Sequence, residues 1–274
     1  MKRSTTPMSV RVALGFLVVV AILVVLGGLL APHDPRAQDL NLVGAPPGDG
    51  HLLGTDNLGR DVLSRIIAGA RPAVVGAALV AVGAVLVGTL LGTLAGFKRG
   101  RVDAVISRIV DVGIAVPAVL VAMVVAGVTG GGYAIAVAIL IVLFAPYDVR
   151  FIRAATLEQR GRGYIEAART LGRSDRAIIV RHLLPNLRPL VLTYALLDFA
   201  YALVALTSLS FLGVGSPPGS SDWGRMLGEN LSLLTLNAAA TLGPALMLIL
   251  TATSINLVGD WIQDRFTDDG MARA

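Results

Sequence analysis

The feature that most constrains this chain is a series of long apolar runs separated by charges, glycines or prolines. The first run, residues 12–30, would be about 28 Å long as a helix, enough to cross the hydrocarbon core of a bilayer. Lys2, Arg3 and Arg11 precede it as in a signal peptide, but its length and the absence of a small-residue cleavage site before Pro32 favour a retained membrane helix. Further runs at about 73–96, 106–128, 133–147, 190–213 and 238–258 bring the prediction to six membrane helices. The fourth is short enough to need either local bilayer thinning or help from the polar residues at its ends.

The composition excludes several classes of site. Apolar residues make up 55% of the chain, and the mean hydropathy is +0.75. The absence of cysteine rules out disulfides, thiol nucleophiles and thiolate metal sites. The three histidines, His33, His51 and His182, are far apart in sequence, so no metal site is predicted.

The distribution of basic residues predicts the orientation. Most of the 23 Lys and Arg residues fall in the N-terminal tail, between spans two and three, between spans four and five, and in the C-terminal tail. The positive-inside rule then places both termini in the cytoplasm of a multi-pass protein in the cell membrane. The basic excess is explained by topology and lipid contact, and it does not indicate nucleic-acid binding.

One segment between the apolar runs, "YIEAARTLGRSDRAIIVRHLLPN", reads as a pair of short water-soluble helices. Gly172 is placed to end the first helix in a left-handed conformation, and Ser174 to cap the second. Pro185 is predicted to end the second helix, and Asn186 to cap the next span. Helices this short are marginal alone, so the unit is expected to dock on a protein surface.

The same segment carries a family resemblance. "EAARTLG", nine residues and "HLLP" resemble the EAA loop of ABC-transporter permeases, E-A-A-x-x-x-G-x9-I-x-L-P, with His182 in place of the usual Ile. The blocks "LLGTDNLGRDVLSRIIAGAR", "LSFLGVGSPPGSSDWGRML" and "NLVGDWIQD" are similar to the C-type permease subunit of the dipeptide, oligopeptide and nickel subfamily. One position departs from the family, which often has Glu where this chain has Leu206.

The resemblance implies an all-α polytopic fold of six transmembrane helices, the type I importer permease fold, with cytoplasmic coupling helices. It also implies a heterodimer with a B-type permease, two ABC ATPase domains and an extracytoplasmic substrate-binding protein. ATP and Mg would be bound by the ATPase subunits, since this chain has no G-x-x-x-x-G-K-[ST] loop and is expected to be non-enzymatic. The residues implied to couple to the ATPases are Tyr164, Glu166, Ala167, Ala168, Leu171, Gly172, His182, Leu184 and Pro185.

The chain then divides into four parts. These are an N-terminal tail with the first helix at 1–31, an extracytoplasmic segment with an interfacial helix at 32–72, a permease core at 73–264 and a cytoplasmic tail at 265–274. The core contains the coupling loop at about 150–189 and an outer loop at about 214–237. Gly88, Gly92 and Gly96 form a ladder that predicts close helix packing, and Pro117 and Pro244 allow kinks.

Four polar residues within span five are candidates for either a substrate pathway or structural hydrogen bonding: Asp198, Thr207, Ser208 and Ser210. Outside the membrane, Asp61 and Arg65 are predicted to pair on the wet face of the interfacial helix. Together with Trp223 they are candidates for contact with the binding protein.

The leading functional expectation is translocation of di- or oligopeptides, with nickel or another cargo as the alternative within the same architecture. An ion-coupled secondary transporter would use Asp198 as its coupling carboxylate. Neither an inverted repeat nor a pair of intramembrane carboxylates supports it. An intramembrane hydrolase is not supported either, because H-E-x-x-H and G-x-S-x-G are absent.

Overall fold

The computed structural model describes residues 6–48 and 50–271, with side chains up to Arg265. Lys2, Arg3 and Arg273, which contributed to the predicted orientation, lie outside the described residues. The helices are α1 (Met8–Leu30), α2 (Val62–Lys98), α3 (Gly100–Ala115), α4 (Ala118–Thr129), α5 (Tyr133–Arg160), α6 (Gly163–Thr170), α7 (Asp175–Ile178), α8 (Leu184–Phe211), α9 (Trp223–Glu229) and α10 (Ala239–Met271). A π-helical turn, Ile179–Leu183, joins α7 to α8, and the remaining regular elements are short 3-10 turns at Leu40–Leu42 and Leu231–Leu233. The described part of the chain is therefore all-α.

Within that part, five helices are long and apolar enough to cross a membrane, and there are six if α3 and α4 count as one broken span. The predicted third span, 106–128, is bent by 85° between α3 and α4. Pro117 lies at the break, where it cannot donate a backbone hydrogen bond. The predicted kink is thus a full interruption.

The short fourth apolar run lies within a longer helix. The run at 133–147 continues as helix through Asp148, Arg150 and Arg153, so α5 has 28 residues. Of the two predicted ways to complete this span, the structure fits the one that uses the polar residues at its end. Two of these residues have partners on neighbouring helices: Asp148 interacts with Asp198, and Arg153 forms an ion pair with Asp103.

The chain forms two compact units. The first comprises residues up to Leu79, Val119–Ile139 and Phe199–Val258, and the second comprises Val80–Ala118, Leu140–Asp198 and the chain from Gly259. In the first unit, the predicted interfacial helix is the start of α2 itself, with Val62 and Ile66 buried. The boundary predicted at residue 72 therefore falls inside one continuous helix, which begins because Asp61 accepts the backbone N–H of Ser64.

In the second unit, the glycine ladder of α2 packs directly on α5. A Cβ placed on Gly88 would lie 2.2 Å from the Cβ of Asp148, and one on Gly92 would lie 2.8 Å from the carbonyl oxygen of Val149. A Cβ on Gly96 would lie 2.7 Å from the Cβ of Thr156. The prediction of close packing is confirmed, since no side chain fits between the two backbones at these three positions.

Candidate functional site

The first half of the predicted coupling segment forms α6, which has one buried and one exposed face. Ile165 and Ala168 are buried, at 0% and 6% exposure. Glu166 and Ala167 are exposed, and Leu171 directly after the helix is 79% exposed. An amphipathic helix that shows a large apolar side chain to solvent beside a carboxylate is suited to contact a partner protein.

The turn after α6 is fixed by Gly172, as predicted. Its φ of +71° lies in the left-handed region, and its N–H donates to the carbonyl of Arg169 at 2.9 Å. The N–H of Arg173 donates to the carbonyl of Ala168 at 3.2 Å, which completes a Schellman motif. Ser174 then accepts a hydrogen bond from the N–H of Ala177, so its predicted role as the N-cap of α7 is confirmed.

The second half of the segment differs from the prediction at Pro185. The helix does not end there, because the π-helical turn carries the chain from α7 into α8. The N–H of Leu184 donates to the carbonyl of Ile179, five residues back, so Pro185 enters the first turn of α8, where a missing donor is tolerated. Asn186 does not cap α8 either; its side-chain amide donates to the carbonyl of His182 at 2.8 Å.

A small hydrophobic core holds these elements together. It consists of buried residues from α2, α5, α6, α7, the π-helical turn and α8, namely Phe97, Ile152, Ile165, Ala168, Ile178, Leu183 and Leu187. The guanidinium of Arg169 lies 5.2 Å from the centre of the Phe97 ring, and that of Arg160 lies 5.9 Å from it. The loop is therefore a folded platform that is anchored to the helices on either side of it.

The predicted coupling residues fall into three groups by their exposure. Ala168 is part of the core and is not available to a partner, so its assignment as a contact residue is corrected to a supporting role. Tyr164, His182, Leu184 and Pro185 are half-buried, and the Tyr164 hydroxyl donates to Gln159 at 2.8 Å. The exposed members are Glu166, Ala167, Leu171 and Gly172. Residues that the motif did not indicate are exposed beside them, among them Arg173, Asp175, Arg176 and Val180.

Asp198 has a partner that the sequence reading missed. Its carboxyl group interacts electrostatically with that of Asp148 on α5, and the two residues are only 9% and 1% exposed. The Oδ2 atom of each carboxyl group is buried without a hydrogen-bond partner. The expectation that the membrane helices hold no pair of carboxylates is therefore wrong, because α5 continues as helix through Asp148.

The hydroxyl groups of span five are used within the protein. Thr207 donates to the carbonyl of Leu203 at 2.6 Å and Ser208 donates to that of Val204 at 2.8 Å. The Ser210 hydroxyl bonds to that of Ser216 at 3.3 Å, and Ser210 is buried. These bonds fit the structural alternative for the three residues.

The candidates for contact with a binding protein are buried. Asp61 is 2% exposed, and Arg65 and Trp223 are both at 0%. The predicted Asp61–Arg65 pair on a wet face is wrong, because Arg65 instead lies 3.1 Å from Asp56 and donates to the carbonyl of Ser220 at 2.9 Å. These side chains support the first unit from inside, and a docking partner would contact the residues that cover them.

A charged cluster holds this part of the first unit together. Arg60 and Arg65 pair with Asp56, and both also contact Glu229 of α9. Burial would raise the pKa of Glu229, but the N–H of Gly219, the side chain of Arg225 and the two other arginines together lower it below its ordinary value. Nearby, burial raises the pKa of Asp222, the N-cap of α9, against the hydrogen bonds that it accepts.

The structure also brings together two of the histidines that the sequence kept apart. His33 and His51 lie beside each other in the first unit, with ring centres 4.7 Å apart, and both face Asp61. His182 lies in the second unit.

The chain matches the family described as "Binding-protein-dependent transport system inner membrane component" over residues 88–269. It is 35% identical to a Brucella suis protein named as a peptide transport system permease, over 93% of this chain and 86% of that protein. It is 34% identical to the glutathione transport system permease protein GsiD of Pectobacterium atrosepticum, over 93% of this chain and 85% of that protein. Identity is 32% with an Escherichia coli protein named as a D,D-dipeptide transport system permease, over 94% of this chain and 87% of that protein.

Among solved structures, the fold is similar to an inward-facing conformation of the MetNI methionine ABC transporter. The TM-score is 0.61 at 19% sequence identity, and the match covers 74% of this chain and 96% of that chain. At this identity the similarity concerns the fold alone.

Proposed function

Because the chain belongs to the family of inner membrane components of binding-protein-dependent transport systems, we propose that it is a permease subunit of an ABC importer for peptides. The observation that carries the coupling role is the exposed face of α6. Glu166, Ala167 and Leu171 are presented to solvent by a helix whose other face is locked into a core. A surface of this kind is suited to a groove on an ATPase subunit.

The connections of α6 support a mechanical role. Arg160 ends α5 and Gly163 begins α6, so only two residues separate the coupling helix from a long apolar helix. On the other side, the helical chain is continuous from Asp175 to Phe211. A displacement of the docked loop is therefore passed to two membrane helices without a flexible linker, which is the requirement for turning ATPase closure into movement.

The partners follow from this assignment. Two ABC ATPase domains bind ATP and Mg on the cytoplasmic side, a B-type permease completes the membrane pair, and a substrate-binding protein delivers cargo from outside. The basic residues in the connections support a cytoplasmic position for both termini. This chain takes no catalytic part, since hydrolysis belongs to the ATPase subunits.

Peptides are proposed as the cargo because three similar permeases are named for peptide, glutathione and D,D-dipeptide transport. Nickel remains the alternative cargo of the same architecture. Leu206, which stands where the family often has Glu, is 4% exposed, so this position supplies no charge to a pathway. Specificity is accordingly assigned to the binding protein, and titration of that protein with di- and tripeptides and with Ni²⁺ separates the two cargoes.

One observation favours a second candidate, a proton-coupled transporter. The Asp148 and Asp198 carboxyl groups interact with each other and are almost completely buried in the membrane helices, where carboxylates often carry a transported proton. Transport into vesicles that contain the partner ATPases distinguishes the two candidates. The importer requires ATP and is insensitive to a protonophore, whereas a proton-coupled carrier works without ATP and stops when the protonophore is added.

The coupling proposal is tested by co-purification of the ATPase with the permease. Glu166→Lys reverses a charge at the centre of the exposed face, and we expect it to reduce the recovered ATPase at least about tenfold and to abolish transport. Glu158→Lys is the matched control, since its carboxylate is also solvent-exposed but lies in the last turns of α5 and pairs with Arg162. Equal ATPase recovery from both variants and the wild type would overturn the proposal.

A further inference from the structure

Three ligand-bearing side chains from distant parts of the sequence converge in the first unit. His33 follows α1, His51 lies in the extended segment before α2, and Asp61 immediately precedes α2. One potential ligand atom from each lies within 4.8 Å of the other two. The Nδ1 atom of His51 is 2.8 Å from Oδ1 of Asp61, and the Nδ1 atom of His33 is 3.8 Å from Oδ2 of the same residue.

The carboxylate is already held in position. The Asp61 side chain is 1% exposed, and its Oδ2 accepts the backbone N–H of Ser64 at 2.7 Å. The backbone N–H of His33 in turn donates to the Ser64 hydroxyl at 3.0 Å. This second layer of hydrogen bonds joins two of the three residues and fixes the oxygen atoms, as the outer shell of a metal site does.

Hydrogen bonds alone do not account for the arrangement of these three side chains. His51 and Asp61 form one good hydrogen bond, but 3.8 Å is too long for a bond between His33 and Asp61. Metal ligands in a tetrahedral site are about 3.4 Å apart, because each lies about 2.1 Å from the ion. The His33 side chain is 43% exposed, so it can rotate to close the remaining gap.

We propose that His33, His51 and Asp61 form a binding site for a divalent transition-metal ion, with at least one coordination position open to solvent. Two imidazoles and one carboxylate suit Zn²⁺, Ni²⁺, Co²⁺ or Cu²⁺, and they are poor ligands for Mg²⁺ or Ca²⁺, which take oxygen. The His33 side chain, more exposed than that of His51 at 17%, leaves the ion reachable from one side. A bound ion would tie the end of α1 and the segment that contains His51 to the start of α2.

The test uses the full chain in lipid nanodiscs with its partner permease, purified through a tag that contains no histidine. Titration with Co²⁺ is followed by visible absorption, which reports coordination by nitrogen and oxygen ligands directly. We expect one equivalent to bind to the wild type, and at least about a tenfold loss of affinity in His33→Ala. His182→Ala is the matched control, because it removes the third histidine of the chain from the second unit, and it should bind Co²⁺ as the wild type does.

A second measurement guards against an effect of folding. Without metal, His33→Ala should melt close to the wild-type temperature, since the His33 imidazole is 43% exposed and loses only a ring contact with His51 and a 3.8 Å approach to Asp61. Added Zn²⁺ should raise the melting temperature of the wild type and of His182→Ala, but not that of His33→Ala. The proposal is overturned if the wild type binds no Co²⁺ below millimolar concentrations, or if His33→Ala binds it equally well. Neither readout involves ATP or transport, so the result is independent of the coupling proposal.

Discussion

The indole of Trp223 donates a hydrogen bond of 2.9 Å to the carbonyl oxygen of Ile66, which joins α9 to the first turns of α2 within the first unit. Trp223 is completely buried, and a Cβ on Gly69 would lie 2.7 Å from its ring. Trp223 thus holds the outer loop against α2, together with the bonds from Arg60 and Arg65 to the same loop.

Replacing this tryptophan should separate the hydrogen bond from the packing. Trp223→Phe removes the donor and is expected to cost about 1 kcal/mol, whereas Trp223→Ala also leaves a cavity and is expected to cost about 3–5 kcal/mol. Thermal unfolding of the purified protein in detergent measures both. If Trp223→Ala melts like the wild type but loses transport, the residue acts at a docking surface, contrary to the buried position described above.

The glycine ladder should not tolerate even one methyl group. Gly92→Ala would place a Cβ 2.8 Å from a backbone oxygen of α5, which cannot move independently of its helix. We expect a loss of about 1–3 kcal/mol. Gly28→Ala is the control in α1, where nothing lies within 4 Å of the new atom, and it should be neutral or slightly stabilising. A lower melting temperature for both variants would mean that helix packing is not the cause.

The turn after α6 should be sensitive to backbone conformation alone. Gly172 has a positive φ and open space around its Cα, so Gly172→Ala introduces strain without a clash. The expected cost is about 1–2 kcal/mol. Gly163→Ala, at the start of the same helix, has no positive φ and should leave the melting temperature unchanged. Equal melting of the two variants would argue against the Schellman turn.

The charged cluster around Glu229 should make the first unit sensitive to acid. Glu229 has a lowered pKa in the folded state, so its contribution to stability is present above its ordinary value of 4.5 and is lost as the pH falls through the folded pKa. Glu229→Gln should therefore melt below the wild type at pH 7, because Arg60, Arg65 and Arg225 lose a charged partner. Melting curves at pH 7 and below pH 4 check this. A difference of the same size at both pH values would exclude ionisation of Glu229 as the cause.

The sequence predicted the apolar helices and the Gly172 turn because both depend on local chemistry. Hydrophobicity marks membrane helices, and only glycine adopts the conformation at position 172 at low cost. The sequence-based predictions are wrong where the partners of a residue lie far away in the sequence. Arg65 is predicted to be exposed, but it is buried because the fold brings Asp56 and Glu229 beside it. The proximity of Asp148 to Asp198 is missed for the same reason. A carboxylate that follows an apolar run indicates the end of a helix, and only the fold brings Asp198 close to it. Proximity of His33 to His51 likewise depends on the fold of the segment after α1.

The π-helical turn at Ile179–Leu183 makes the direction in which α6 and α7 point depend on the number of residues in the turn. A π turn holds one residue more than an α-helix of the same span, and deleting that residue would restore regular helix. Each residue of an α-helix corresponds to about 100° of rotation and 1.5 Å of rise. A one-residue deletion at this turn would therefore rotate α7, and α6 with it, by about 100° around the axis of α8. The number of residues in the π-helical turn thus sets the rotation of α6 and α7 about the axis of α8.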